Sequence, residues 1–195
     1  MKNSIIDKRE DGFSISYAFL KDFKKLQELV KGLSKESRCH FTPWLFKENP
    51  GNKAKMGQLI AKISLLPIFK TIIKKIFPYG LLVILKVTSD KNQIVGFIYS
   101  YNFRKIHSGY SARHAQVIAD KFQGQGLGKF QTKCMEYVAR KENVRYFITG
   151  VFLDNKASLS LLKKDGWKVT QVQKNLLMTC GKRHDVAKVT KDLDY

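Results

Sequence analysis

Residues 121–130 read KFQGQGLGKF, with Gly124, Gly126 and Gly128 at alternate positions and Lys121 and Lys129 either side. Glycines so spaced let the backbone approach a ligand closely and adopt φ > 0 where a Cβ would disfavour it. The run HAQVIAD (114–120) before them reads as a strand, and helical spacing resumes after them at Leu127, Phe130, Cys134 and Val138. A helix start leaves unpaired N–H groups at the positive end of its dipole, and a pyrophosphate suits that cradle. Lys129 adds a mobile charge. Two familiar phosphate devices are excluded by position. No G-x-x-x-x-G-K-[ST] spacing occurs, and a dinucleotide fingerprint needs glycine three positions after Gly126, where Lys129 stands. On the loop alone, an ordinary glycine-rich connection from strand to helix stays open.

The elements around the loop must position it. FSISYAFL (13–20) alternates as a strand does, and Phe23, Leu26, Leu29, Val30 and Leu33 follow at helical spacing up to Gly32 and Ser34. SRCHFTPWLF (37–46) is aromatic and interrupted by Pro43, which predicts a short helix or turn. Residues 55–77 read as two amphipathic helices meeting at Pro67. LLVILKV (81–87) and QIVGFIYSY (93–101) are strands joined by the turn SDKN, and YFITGVF (146–152) is another. ASLSLLKK (157–164) is a short helix, and WKVTQV with NLLMT predicts a closing hairpin. The order predicts a mixed α/β domain with a mostly antiparallel central sheet flanked by helices, carrying a basic helical insertion at about 52–79.

At 195 residues and 44% hydrophobic, one domain with one sizeable core is the simplest reading. Cys39, Cys134 and Cys180 show no C-x-x-C spacing and no even framework, so reduced thiols and a cytoplasmic location are expected. The charged N-terminal MKNSIIDKREDG has no apolar run of the signal-peptide kind. The stretch 63–85 is broken by lysines and prolines and does not make roughly 20 apolar residues in a row. No metal site is expected. The net charge is +20, and between Asn49 and Ala119 Asp90 is the sole acidic residue against eleven Lys and Arg. Such a field attracts nucleic acid, an anionic membrane surface or a phosphorylated small molecule, or it serves solubility.

Gln123-x-x-Gly126-x-Gly128 after a strand is followed by a further strand, then by Asn155-x-x-Ser158 and by Leu161-x-x-x-x-Gly166-Trp167. Together these resemble the GNAT superfamily of acyl-CoA-dependent N-acyltransferases, from about Gln93 to Thr179. The resemblance implies acetyl-CoA as co-substrate. It implies pantetheine contacts from the backbone of Gln116, Val117 and Ile118, pyrophosphate contacts from Gln123, Gly124, Gln125, Gly126, Leu127, Gly128 and Lys129, and a further contact from Asn155.

The reaction implied is attack of an amine on a thioester. It needs a neutral amine, donors for the developing oxyanion, and a proton for the leaving thiolate. Backbone N–H groups supply the second without any side-chain signature. The family's usual proton donor, a tyrosine seven positions after the asparagine, is Leu162 here, and its usual glutamate positions are Ala112 and Gly150. His114, on the same strand face as Ala112, is the candidate base, with a strand-end histidine of no catalytic role as the alternative. His107, Tyr110 and a water relay are rivals. Cys134 reads as a core residue rather than a nucleophile. The expectation is therefore an N-acetyltransferase acting on a primary amine of a small-molecule or peptide acceptor, which the basic and aromatic residues allow to be anionic. A catalytically weak CoA-binding module docking on nucleic acid or an anionic membrane is the alternative.

Overall fold

The run VIL (83–85) at the heart of the chain is apolar on both faces, so its strand must lie between two layers. The computed structural model describes residues 5–9, 11–41, 83–107 and 109–193. In it β3 (Val83–Thr88) sends Val83, Leu85 and Val87 to one core and Ile84 to another. The first core is closed by α3 (Leu127–Lys141), whose Leu127, Phe130, Cys134, Met135 and Val138 are buried. The second is closed by α1 (Phe23–Lys31) through Phe23 and Leu26. Burying a side chain of this size stabilises the fold by roughly 1.5–3 kcal/mol. The helical insertion expected at 52–79, with Trp44 and Phe46 before it, falls outside the described residues.

The other strands are β1 (Ile5–Lys8), β2 (Ser14–Tyr17), β4 (Ile94–Ile106), β5 (Gly109–Ile118), β6 (Val144–Phe152), β7 (Lys168–Thr179) and β8 (Lys182–Asp192). Among the described residues two short α-helices complete the set, α2 (Lys35–His40) and α4 (Lys156–Lys164). Among the described residues eight strands form one sheet in the order β1-β2-β3-β4-β5-β6-β8-β7. Every neighbouring pair is antiparallel except β5 and β6. The mixed, mostly antiparallel architecture expected from the sequence is the one observed.

Two expectations are corrected. The closing hairpin does not turn between 172 and 175. Residues 168–179 are one strand, and the turn is Cys180–Gly181, both at positive φ as a two-residue hairpin turn demands. Asn175, at φ 51°, sits in an irregularity of β7 and gives the sequence its false turn signal. The cysteines are not all reduced. Cys39, next to the last residue of α2, is joined to Cys180 in that turn by a disulfide with Cα atoms 5.7 Å apart. The partners are 141 residues apart in sequence, so no local spacing announces them. Cys134 is buried in α3, and burial pushes its thiol up to about 11. No helix among the described residues is long and apolar enough to cross a membrane.

Candidate active site

The parallel pair β5–β6 is in register only from Tyr110/Val144 to Arg113/Ile148. On its other side β5 stays paired with β4 as far as Ile118. Beyond Arg113 the two parallel strands therefore part, and β5 has one backbone edge without a strand partner. The N–H of Ala119 donates to Val95 of β4, so odd-numbered residues of this stretch turn their backbone to β4. Even-numbered ones face the fork. At its root the Thr149 hydroxyl donates to the His114 carbonyl at 2.8 Å. Further along, Gln116 and Ile118 present their N–H groups to the gap. Val117 does not: its register partner is Phe97, and its carbonyl accepts from Gln131 Nε2.

The fork leads straight to the glycine loop. Gly124 and Gly126 lie at φ 76° and 75°, and Gly126 is the N-cap of α3. A Cβ on Gly124 would meet nothing within 4 Å, and one on Gly126 only Arg9 Nη1 at 3.5 Å. The loop thus presents backbone to open space at the positive end of a long helix, which fits a pyrophosphate. Gly128 serves another purpose, since a Cβ there would stand 2.9 Å from Leu161 of α4. Gln123 braces the loop, its amide donating to Ile118 O and Asp120 Oδ1 at 3.1 Å each. Gln125 turns its amide to Lys121 O. Leu127 is in the core, and Lys129 is exposed.

Asn155 caps α4 by accepting from Ser158 N at 3.1 Å through Oδ1, which leaves its amide NH2 for the cavity it lines. That cavity, about 410 Å³, is lined by Gln116 and Asn155 together with Tyr99, Tyr101, Arg113 and Lys188. Leu162 lines it and brings no hydroxyl. His114 is 3% exposed and set edge-on to Phe147 and Trp167, with ring centroids 5.0 and 4.7 Å away. Burial, with a smaller effect of Lys191, lowers its pKa to about 3. An imidazole so placed is a poor base at neutral pH, and the base role expected for His114 finds no support in its surroundings.

The outer wall of the cavity comes from α2 and the β7–β8 hairpin. At its N-terminal end α2 is tied to the loop region: Ser34 N donates to Asp120 Oδ2 at 2.6 Å, and the Ser37 hydroxyl donates to Asp120 Oδ1. The Ser37 bond is the main reason the Asp120 carboxyl is held below its ordinary range. At its other end the disulfide fastens α2 to the hairpin. His40, the last residue of α2, lines the cavity with Nε2 3.5 Å from Asp154 Oδ1. The other oxygen of Asp154 meets His184 Nδ1 at 2.9 Å and Lys182 Nζ at 3.0 Å. Partial burial works to raise the Asp154 pKa, and the Lys182 hydrogen bond and the neighbouring positive charges outweigh it and hold the carboxyl down.

A family model described as an acetyltransferase (GNAT) domain matches residues 15–187. The chain belongs to the GNAT family. Solved GNAT structures share the fold. A ribosomal L7/L12 alpha-N-protein acetyltransferase in complex with coenzyme A is 18% identical, with TM-score 0.71 over 97% of this chain and 98% of its own. An acetyltransferase from Salmonella typhimurium with its cofactor acetyl-CoA is 16% identical, with TM-score 0.66 over 94% and 95%. A spermidine N-acetyltransferase chimera from Vibrio cholerae and hSSAT is 15% identical, with TM-score 0.65 over 93% and 96%. No match was found among curated protein sequences.

In this GNAT chain neither usual glutamate position can offer a base. Ala112 is sealed in the core, and a Cβ at Gly150 would stand 3.2 Å from Val186. Three residues of the site had no signal in the sequence. Arg9 donates from Nη1 to Gln125 O at 2.9 Å and so puts a guanidinium beside the loop, and His40 meets Asp154 across more than a hundred residues.

Proposed function

We propose that the chain transfers the acetyl group of acetyl-CoA to a primary amine. The fork that ends on a left-handed glycine loop carries this reading. It offers donors in the order a long phosphate-ended thioester needs: Gln116 and Ile118 N–H and the Asn155 amide for the pantetheine arm, then the Gly124–Lys129 backbone, with Arg9 alongside, for the pyrophosphate. When bound, the co-substrate supplies an activated acyl group. Past His114, which lies at the root of the fork beside Thr149, the next even-numbered N–H on the fork edge is that of Gln116, which we assign to the carbonyl oxygen as negative charge develops there. With Leu162 in place of a hydroxyl donor, the leaving thiolate takes its proton from the amine or from water. A thiol of pKa ~8.5 leaves without help from a strong acid.

The acceptor we infer carries a carboxylate or phosphate near its amine. Arg113 and Lys188 line the cavity, and no carboxylate does among the described residues. Among the described residues a polyamine would meet the cations Arg113 and Lys188 there and no carboxylate. We read the whole of 1–195 as one acyltransferase domain with the 52–79 segment as an insertion. The test is CoA release over panels of amines, amino acids, nucleotide-sugars and peptides. Turnover strongest on anionic amines is expected. Binding of acetyl-CoA with no turnover on any acceptor would favour a docking module on nucleic acid or membrane instead.

A further inference from the structure

We propose that His40 is the base that takes the proton from the acceptor ammonium, with Asp154 as the residue that positions it. The proposal rests on the acetyltransferase reading above. His40 and His114 are the two imidazoles that line the cavity, and His114 is sealed between aromatic rings. His107 lies outside the lining residues, and Tyr99 is a hydroxyl that burial drives well above its ordinary pKa. His40 and Gln116 both line this cavity.

Its surroundings are arranged for orientation. Asp154 Oδ1 faces Nε2 at 3.5 Å, where it can pair with the charged ring, and Nδ1 is the nitrogen we assign to take the proton. Asp154 is itself immobilised, because Oδ2 is held by His184 and Lys182 from β8. Phe152 of β6 packs against the rings of both His40 and His184, at 6.1 and 4.6 Å between centroids. Among the described residues the charged groups around His40 are therefore Asp154, Lys182 and, when protonated, His184. Arg113 and Lys188 lie along the same cavity. The backbone of α2 cannot drift, since Asp120 holds one end and the Cys39–Cys180 bond the other.

The step balances without any further reactant. The ammonium gives one proton to Nδ1, directly or through one water, and its freed electron pair forms the C–N bond. The C–S pair leaves on sulfur, which takes the second proton shed by nitrogen. His40 returns its proton to solvent. The net products are the N-acetyl amine, CoA and one proton.

The experiment is a pH-rate series with the best amine of the panel. In wild type kcat rises from acid pH through a single limb. In His40→Gln we expect kcat to fall about 10²-fold or more, the limb to vanish, and acetyl-CoA affinity by calorimetry to stay unchanged. Asp154→Asn should lower kcat by about 10-fold with acetyl-CoA affinity unchanged, and should cost nothing further in a His40→Gln background. A merely structural aspartate would cost the same in either background. Should His40→Gln fail to fold, wild-type rates on amines of graded basicity decide. A nearly flat response supports a protein base, and a steep rise toward weakly basic amines overturns it. A folded His40→Gln that keeps its rate and limb also overturns it. If acetyl-CoA binds and no amine is acetylated at all, the acetyltransferase reading fails and this proposal with it.

Discussion

The inner and outer halves of the site are built on different principles. The inner half, from Gln116 through the loop to Gly128, is backbone: unpaired strand edge, left-handed glycines and a helix start. The outer half is side chains gathered from places far apart in the chain: His40 from α2, Asp154 from before α4, Cys180 and His184 from the hairpin. Backbone recognition suits a part of the substrate that never changes, because it needs only conformation. Side-chain recognition suits the part that differs from one enzyme to the next. The two halves should therefore fail separately when each is damaged.

The largest effect is expected at Gly126. Gly126→Val forces a branched side chain to φ 75° and fills space that the pyrophosphate needs. Backbone strain of about 1–3 kcal/mol and the loss of charge-assisted hydrogen bonds worth about 1.5–3 kcal/mol combine to roughly 4 kcal/mol. That corresponds to about 10³-fold weaker acetyl-CoA binding by calorimetry. The melting transition should stay cooperative, and acceptor selectivity in any residual turnover should be unaltered. Unchanged affinity in a folded variant would break the comparison.

The next effect belongs to the outer half. Cys180→Ser, or reduction with dithiothreitol, opens a loop of 141 residues and should cost about 2–4 kcal/mol of stability in denaturant titrations. The acceptor KM should rise several-fold because α2 loses its second anchor. The acetyl-CoA Kd should not move. A loss of acetyl-CoA affinity as large as the loss in acceptor KM would show that the halves are coupled.

How much was legible follows the same division. The glycine spacing, the strand before it and Asn155-x-x-Ser158 announce the inner half, because backbone devices are local and each residue type has one conformational reason to be there. Even so, the sequence could not separate Val117 from its neighbours. Which backbone face a residue turns to the fork depends on the register with β4, a pairing made at a distance. Nor does the motif show that the Gln123 side chain braces Asp120 and Ile118, or that Gly128 makes room for Leu161. The outer half was almost silent. A lone Cys39, His40 or Asp154 carries no periodicity and no motif, and only folding shows that they meet. His114 drew attention by strand alternation, but alternation says which face a side chain takes and not whether aromatic rings seal it there. In β7, Asn175 imitated a turn that the strand absorbs as an irregularity.

The most direct test of the central claim is amide hydrogen exchange along β5 with and without saturating desulfo-CoA. This ligand keeps the pantetheine arm and the phosphates and lacks only the sulfur. If the fork receives the arm, the amides of Gln116 and Ile118 should gain protection on binding, because their N–H groups face the gap. The Val117 amide, already paired toward Phe97, should change little. The account predicts this alternating pattern. Uniform protection across residues 116–118, or none at 116 and 118 in a protein shown by calorimetry to bind the ligand, would contradict it.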